Sequence, residues 1–181
     1  MPVREVSLES PIEEKIAWAE ACCRRFGDQL LRDEGVYSFL NELRAAIKAS
    51  RKKMSETGIA ETCKDCEERE GGSCCGAGLE NRYSGALLLI NLLLGVSLPE
   101  RAYDRSSCFF LTQNGCALMA RHVICVNYLC KRASQRVHPR GIAALREFEG
   151  VELQLLFQLD ERIKRVLASN PFKEPMHQKS L

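Results

Sequence analysis

The sequence lacks the features that identify several large classes of protein. Its longest apolar run, residues 86–94 with Asn91 as the one interruption, is far shorter than the roughly 20 apolar residues of a membrane-spanning helix. The first residues have neither the basic start nor the apolar core of a secretory signal. Net charge is only +2, and aromatic residues do not alternate with a basic patch. The sequence therefore predicts a cytoplasmic protein that binds neither a membrane nor nucleic acid.

Common catalytic and nucleotide-binding motifs are also missing. The pair Gly71-Gly72 is not followed by the Lys-Ser/Thr step of a phosphate-binding loop. No Ser/His/Asp or Cys/His arrangement stands out among the charged and polar residues. The sequence predicts no catalytic residue and no particular reaction, and it leaves open whether the protein is an enzyme.

Cysteine is what the sequence has in excess. Eight of its ten cysteines lie within residues 63–130, far more than an apolar core requires. They are Cys63, Cys66, Cys74, Cys75, Cys108, Cys116, Cys125 and Cys130. Cysteines in a reducing compartment are more often metal ligands or redox groups than disulfide partners. We therefore predict that all eight bind metal through their thiolates.

The spacing of these cysteines bears on the kind of metal centre. Cys63 and Cys66 are close enough to share a tetrahedral ion, at about 2.3 Å from each sulfur. The side chains of the adjacent Cys74 and Cys75 point in different directions, which suits a larger cluster, or two centres, better than one mononuclear zinc. Two four-thiolate sites and one cluster with surplus thiols both remain open. The predicted cofactor is an iron–sulfur cluster or zinc.

Other residues near the cysteines have two interpretations. His122 could replace one thiolate in a set of three cysteines and one histidine. Six basic residues could offset the negative charge of the centre, or could simply be surface residues of polar loops: Lys64, Arg69, Arg82, Arg121, Lys131 and Arg132. Cys22 and Cys23 lie within a predicted helix, where a buried cysteine packs as a small apolar residue.

The order of the cysteines resembles that of the CxxCxxCC family, which is described as chelating zinc or iron. The matching residues are Cys63, Cys66, Cys74, Cys75, Cys108, Phe110, Leu111, Gly115, Cys116, Arg121, Cys125 and Cys130. The gap between Cys66 and Cys74 is longer than usual, and prolines common in the family are replaced, by Phe109, His122 and Leu129. The resemblance covers residues 63–130. It implies metal binding and, through a related domain in flagellin lysine methylases, an iron–sulfur cluster, but no reaction.

Apolar periodicity predicts helices on both sides of the cysteine-rich region. Residues 10–57 form a helical pair, with Ser10 as N-cap, Glu13 closing a capping box and Gly58 just past the end. Residues 58–132 form the metal-binding region, with a loop up to residue 83, an apolar helix at 84–94, extended pieces around 114–115 and a short helical turn. A helix at 140–169 and a tail at 170–181 follow. We expect a single domain, residues 1–181, mainly α, with helices packed around a cysteine-rich, loop-built metal-binding centre.

Metal binding through these cysteines is compatible with several functions. A redox-active centre would pass electrons to an unknown protein or redox partner, or sense oxidants. Closed zinc sites would instead hold the loops in place, in an adaptor or interaction module without catalytic activity. A third interpretation is an enzyme, or an accessory protein linked to a methylase, that uses the cluster.

Overall fold

A computed structural model of the protein describes residues 5–70 and 74–169, without the side chains of residues 67–70. The described residues form seven α-helices and two short strands: α1 (Ile12–Arg32), α2 (Glu34–Glu56), α3 (Ile59–Glu70), α4 (Gly85–Leu93), β1 (Leu111–Thr112), β2 (Gly115–Cys116), α5 (Val123–Asn127), α6 (Lys131–Arg136) and α7 (Pro139–Ala168). The prediction of a mainly helical chain is confirmed. No helix in these ranges is both long and apolar enough to cross a membrane. The predicted tail and the Arg69 side chain lie outside the described residues.

A single residue, Asp33, separates α1 from α2. Its carboxylate accepts the backbone N–H of Val36 at 2.9 Å and so caps α2. The same carboxylate accepts two hydrogen bonds from the Arg162 guanidinium of α7, at 2.9 and 2.7 Å. Asp33 therefore fixes the start of α2 and ties it to α7, which is the helix that α2 packs against most extensively.

The start of α1 differs from the prediction. The N-cap position is Pro11 rather than Ser10, and no side chain caps the helix, so the predicted capping box with Glu13 is wrong. The backbone N–H of Ser10 is instead bonded to the carbonyl of Ser7 at 3.2 Å, because the chain makes a turn before the helix begins. The predicted C-cap signal is confirmed, since Gly58 follows α2 with a φ of 76°.

The predicted loop after Gly58 is wrong in its first half, because residues 59–70 form α3. Ile59 is fully buried in a small cluster with Val137 and Leu145. Ile59 and Cys63 are four residues apart, and Cys66 follows after three more, which is helical spacing. The period gives a weak signal because Ile59 is the one large aliphatic residue of α3. Cys63 and Cys66 consequently share one face of a helix.

The apolar helix α4 lies at the centre of the main core. Ser84 caps it by accepting the N–H of Leu87 at 3.1 Å, and Gly95 follows with a φ of 87°. The α1 helix packs mainly against α4, and its fully buried Lys15 donates to the carbonyl of Asn81, at 2.9 Å, in the 3₁₀ turn just before α4. Desolvation lowers the pKa of Lys15. This contact fixes the approach of the chain to α4.

The long helix α7 starts at Pro139, and His138 caps it by accepting the N–H of Arg140 on Nδ1 at 3.2 Å. Apolar spacing in the sequence predicts six core residues for this helix, and all but one are buried or partly buried: Leu145, Phe148, Leu155, Leu159, Ile163 and Val166, with Phe148 as the exception. Phe148 is a wrong prediction, because it is 38% exposed and packs beside the Lys53 ammonium. Glu149 and Glu152 are buried on this helix instead.

Asp33 is expected to stabilise the fold through its charge and as a cap. Replacing Asp33 by Ala should lower the free energy of unfolding by about 1 kcal/mol for the cap alone. Asp33→Asn keeps a capping oxygen and should lose less. Hydrogen bonds from Arg162 lower the pKa of Asp33. The ionised Asp33 carboxylate therefore contributes its full stabilisation above the unfolded pKa of about 3.9. This stabilisation is lost as pH falls through the lower folded pKa.

Urea unfolding at neutral pH and near pH 3 measures both effects. Asp28→Asn on the exposed side of α1 is the matched control, and it should leave stability almost unchanged. Equal stability of the wild type and Asp33→Ala at neutral pH would contradict the assigned role.

Candidate metal centre

A short antiparallel pairing places two distant cysteines opposite each other. Gly76 forms a bridge with Ser107, and the N–H of Cys108 is bonded to the carbonyl of Cys75 at 2.7 Å. In this register Cys75 and Cys108 are directly opposite, so their side chains leave the same face of the pairing. The sequence offers no signal for this contact, because the two residues belong to different cysteine blocks.

The hairpin of β1 and β2 places a third cysteine, Cys116, after Cys75 and Cys108. Leu111 pairs with Cys116, and Gly115 has a φ of 95° in the connecting turn, which confirms the predicted extended pieces around 114–115. The N–H of Leu111 is bonded to the carbonyl of Cys108 at 2.9 Å. The hairpin therefore follows directly from the pairing of Cys75 with Cys108.

Helix α5, which confirms the predicted helical turn, adds a fourth cysteine. The hydroxyl of Tyr83 lies 3.6 Å from Sγ of Cys125, and desolvation raises the pKa of Tyr83. His122 caps α5 by accepting the N–H of Ile124 on Nδ1 at 3.2 Å. If His122 replaces a thiolate as a metal ligand, only its Nε2 is available.

Electrostatic interactions show that these thiols lie in one neighbourhood. The pKa of Cys108 is raised to about 11, mainly by desolvation and in part by the charges of Glu80, Cys116 and Cys125. A hydrogen bond with Cys74 raises the pKa of Cys75, followed by desolvation and the charges of Cys74, Cys116 and Cys108. We call Cys74, Cys75, Cys108, Cys116 and Cys125 the five-thiol cluster. Its members would repel one another as thiolates.

Positive charge lies beside Cys116. Desolvation raises the pKa of the Cys116 thiol, although the residue is exposed, and the charges of Arg121 and Arg51 oppose that rise. Arg121 was predicted to lie near the cysteines. Arg51 was not, because it lies on α2, far from Cys116 in sequence; its guanidinium donates to the carbonyls of Leu118 and Met119 at 3.0 and 3.1 Å.

Two buried glutamates of α7 lie among the charged residues that interact with Arg51 and Arg121. Glu149 and Glu152 are almost fully buried, and Glu149 forms an ion pair with Arg146 at 2.6 Å. Nε of Arg121 and Oε2 of Glu152 are buried without a hydrogen-bond partner among the described residues. The charges of Glu152 and Arg121 both act on Arg51. The five-thiol cluster is therefore connected through arginines to α2 and α7.

A buried amide holds the chain between β2 and α5. Nδ2 of Asn91 donates to the carbonyls of Leu87 and Ala120, both at 2.9 Å. Its Oδ1 accepts the N–H groups of Met119 at 2.9 Å and Ala120 at 3.0 Å. Asn91 is fully buried, and both its polar atoms are satisfied. The sequence analysis noted this residue only as an interruption of an apolar run.

The other three predicted ligands lie on α3 and at the start of α6. Cys63 is partly buried against the cluster around Ile59, and Cys66 lies one turn further along α3. Cys130 is the N-cap of α6, where its Sγ accepts the N–H of Ala133 at 3.4 Å. Since α3 and α6 are in contact, these cysteines belong to neighbouring helices.

The cysteines of α1 belong to the core, as expected. Cys22 is buried in the main apolar cluster, and Cys23 packs against the same cluster. Desolvation raises the pKa of Cys22 to about 11. Both positions fit a role in apolar packing.

The five-thiol cluster has suitable donor atoms for a metal, but its sulfurs do not converge on one metal position. In the part of the chain that the structure describes, no three Cys, His, Asp or Glu side chains form a group that could hold a metal ion as they stand. Thiolates are nevertheless preferred ligands of zinc and of iron–sulfur clusters. Binding would require these cysteine side chains to turn toward a common centre, as happens when metal binding is coupled to folding.

Removing the Asn91 amide should destabilise the protein strongly. Asn91→Leu leaves the N–H groups of Met119 and Ala120, and the carbonyl of Ala120, without their buried partner. Each such group costs about 1–3 kcal/mol, so we expect the free energy of unfolding to fall by about 3 kcal/mol or more. Urea unfolding measures the change, with the exposed Asn41→Leu as control. A loss below about 1 kcal/mol would contradict this role.

In the metal-free protein, Cys22 and Cys108 should react much more slowly with iodoacetamide than the exposed Cys74. Both are buried, and the pKa of each thiol is raised to about 11, mainly by desolvation. Because the thiolate is the nucleophile, roughly one such thiol in a thousand is reactive at pH 8. Peptide mapping compares their rates with that of the exposed Cys74. Equal rates for Cys108 and Cys74 would show that the Cys108 thiol is not buried in solution.

Comparison of the chain with protein-family models, with curated protein sequences and with solved structures gives no match. The resemblance to the CxxCxxCC family therefore depends on the order and spacing of the cysteines in the sequence. What that resemblance implies about zinc, iron or an iron–sulfur cluster stays a prediction.

Proposed function

We propose that the protein binds a metal through the thiolates of the five-thiol cluster. The supporting observation is that Cys75, Cys108, Cys116 and Cys125 come from four separate segments and interact electrostatically with one another. Apolar packing alone gives no reason to gather so many thiols, which are an oxidation hazard when left free. Metal ligation supplies such a reason.

The charges around the cluster favour a bound cation. The thiolates would repel one another, since charges on neighbouring sulfurs raise the pKa values of Cys75 and Cys108. A metal cation stabilises deprotonated sulfur and removes that repulsion. Arg51 and Arg121 act in the same direction from the side of Cys116, since their charges lower its pKa. These arginines would partly neutralise a four-thiolate centre, which keeps a net negative charge.

An iron–sulfur cluster is the first candidate and zinc is the second. Adjacent Cys74 and Cys75 favour a cluster, because two neighbouring side chains rarely reach one mononuclear ion. The number of thiols favours zinc, because four thiolates complete a tetrahedral zinc site. Cys75, Cys108, Cys116 and Cys125 would supply these four. When bound, a cluster supplies one-electron transfer, whereas four-thiolate zinc supplies a structural cross-link.

Cys63, Cys66 and Cys130 are proposed as ligands of a second centre. Cys63 and Cys66 share one face of α3, and Cys130 begins α6, which is in contact with α3. These three thiolates leave one position of a tetrahedral site for another donor. Together with the five-thiol cluster they account for all eight predicted ligands.

The biological function follows from the identity of the metal. With an iron–sulfur cluster, the protein would exchange electrons with a redox partner or sense oxidants in the cytoplasm. With zinc, it would be an adaptor or interaction module whose loops are held by metal. The chain's own contribution in either case is to hold the sulfurs, with Cys75, Cys108 and Cys125 packed in or against the apolar core that contains α4.

Anaerobic purification with elemental analysis tests the proposal. A brown protein with broad absorbance at roughly 400 nm and with iron and sulfide would establish the cluster. A colourless protein with stoichiometric zinc and no iron would establish the second candidate. Absence of both metals, in the isolated protein and after reconstitution with iron and sulfide or with zinc, would overturn the proposal.

Serine variants then assign the ligands. Cys108→Ser and Cys116→Ser should each lower metal content by half or more, and Cys63→Ser tests the second centre separately. Cys22→Ser is the matched control, because Cys22 is buried in the apolar core of α1. Its effect should be on the melting temperature and not on metal content per folded protein. Full metal content in both Cys108→Ser and Cys116→Ser would exclude the five-thiol cluster as the site.

A further inference from the structure

Tyr83 places a polar oxygen inside the apolar core. The residue is only 1% exposed. Its ring packs against Phe110 and His122, with centroids 5.1 and 5.9 Å apart. A buried hydroxyl needs hydrogen-bond partners, and a phenylalanine at this position would fill nearly the same space without that need. The hydroxyl of Tyr83 therefore calls for an explanation beyond packing.

The hydroxyl has one partner on each side. It accepts the backbone N–H of His122 at 3.2 Å and lies 3.6 Å from Sγ of Cys125. An amide N–H can only donate, so this contact uses a lone pair of the oxygen. The single hydroxyl proton is then free to point at the sulfur. Tyr83 is thus the donor and Cys125 the acceptor.

Both partners belong to the same short turn. His122 is the N-cap of α5, and the N–H of Cys125 is bonded to the His122 carbonyl at 2.8 Å. One hydroxyl group consequently holds the backbone at the start of this turn and the sulfur at its end. A helix as short as α5 has little stability of its own, so such tertiary contacts decide its position.

Tyr83 is itself held firmly on the other side. Its N–H is bonded to the carbonyl of Glu80 at 3.1 Å, and the buried Lys15 holds the carbonyl of Asn81 in the same 3₁₀ turn. Ser84, the next residue, caps α4. The hydroxyl therefore projects from a fixed point between α1 and α4.

We propose that Tyr83 is the positioning residue of the candidate metal centre, through a hydrogen bond that its hydroxyl donates to the sulfur of Cys125. Hydrogen bonds to ligand atoms orient them and tune the metal, and losing one typically costs 10- to 100-fold in metal affinity. The effect on metal binding rests on the proposed function, whereas the hydrogen bond itself can be tested without metal.

The test compares Tyr83→Phe with Tyr128→Phe in the full chain. Tyr83→Phe removes one oxygen and keeps the ring, while Tyr128→Phe removes the same oxygen from an exposed tyrosine beside α5. Co²⁺ serves as the metal probe, since its thiolate charge-transfer absorption reports the bonded sulfurs. We expect about tenfold weaker Co²⁺ binding for Tyr83→Phe and a shifted charge-transfer band at saturation, with neither change in Tyr128→Phe.

A second readout needs no metal. In the metal-free chain, iodoacetamide should alkylate Cys125 several-fold more slowly in Tyr83→Phe than in Tyr128→Phe, because the reactive thiolate loses the hydrogen bond that stabilises it. Rates at Cys22 within the same sample control for general unfolding. A variant that was merely less stable would show a lower melting temperature and faster alkylation of both cysteines, without a band shift at saturation.

The outcomes separate the two proposals. If the wild type binds no Co²⁺, and neither iron nor zinc, the proposed function fails, and the alkylation rate alone then decides about the hydrogen bond. If the wild type binds Co²⁺ and Tyr83→Phe matches it in affinity, band position and Cys125 alkylation, the role of Tyr83 is overturned. Equal changes in Tyr128→Phe would also overturn it.

Discussion

The cysteine-rich half of the protein depends on one buried amide. Asn91 lies on α4 in the middle of the core and satisfies backbone groups of Met119 and Ala120, which follow the β1–β2 hairpin. These backbone groups have no regular secondary structure to bond within, and burying them unpaired would be costly. The amide therefore allows an irregular segment to lie against an apolar helix. Cys116 before it and Cys125 after it are placed by the same contact.

Arginines connect this region to the helices around it. Arg51 reaches from α2 to the carbonyls of Leu118 and Met119, on the opposite side of the segment that Asn91 holds. Arg121 and Arg51 both act on Cys116, and Glu152 of α7 acts on Arg51. The charges of Cys116, Arg51 and Glu152 thus interact in series. A change of charge at the sulfur will therefore alter the electrostatic energy of side chains on α2 and α7.

Much of the fold was predictable because it follows from apolar periodicity. The C-terminal end of α2, the capped helix α4 and the turn at Gly115 follow from residues close together in sequence. The missed helix α3 buries Thr62 and partly buries Cys63 where leucine is usual, and so has a weak signal. The pairing of Cys75 with Cys108 depends on backbone hydrogen bonds across a long stretch of chain, for which no local pattern exists. The roles of Asn91 and Arg51 depend on tertiary position in the same way.

The junction at Asp33 has a consequence for how the chain can vary in length. With one residue between α1 and α2, each added residue would turn α2 by roughly 100° relative to α1. Asp33 would then no longer meet Arg162, and Arg51, five turns along α2, would face away from the segment it now binds. The one-residue connection at Asp33 therefore fixes the rotation of α2 about its axis relative to α1. Insertions should be tolerated in loops elsewhere, but not at this position.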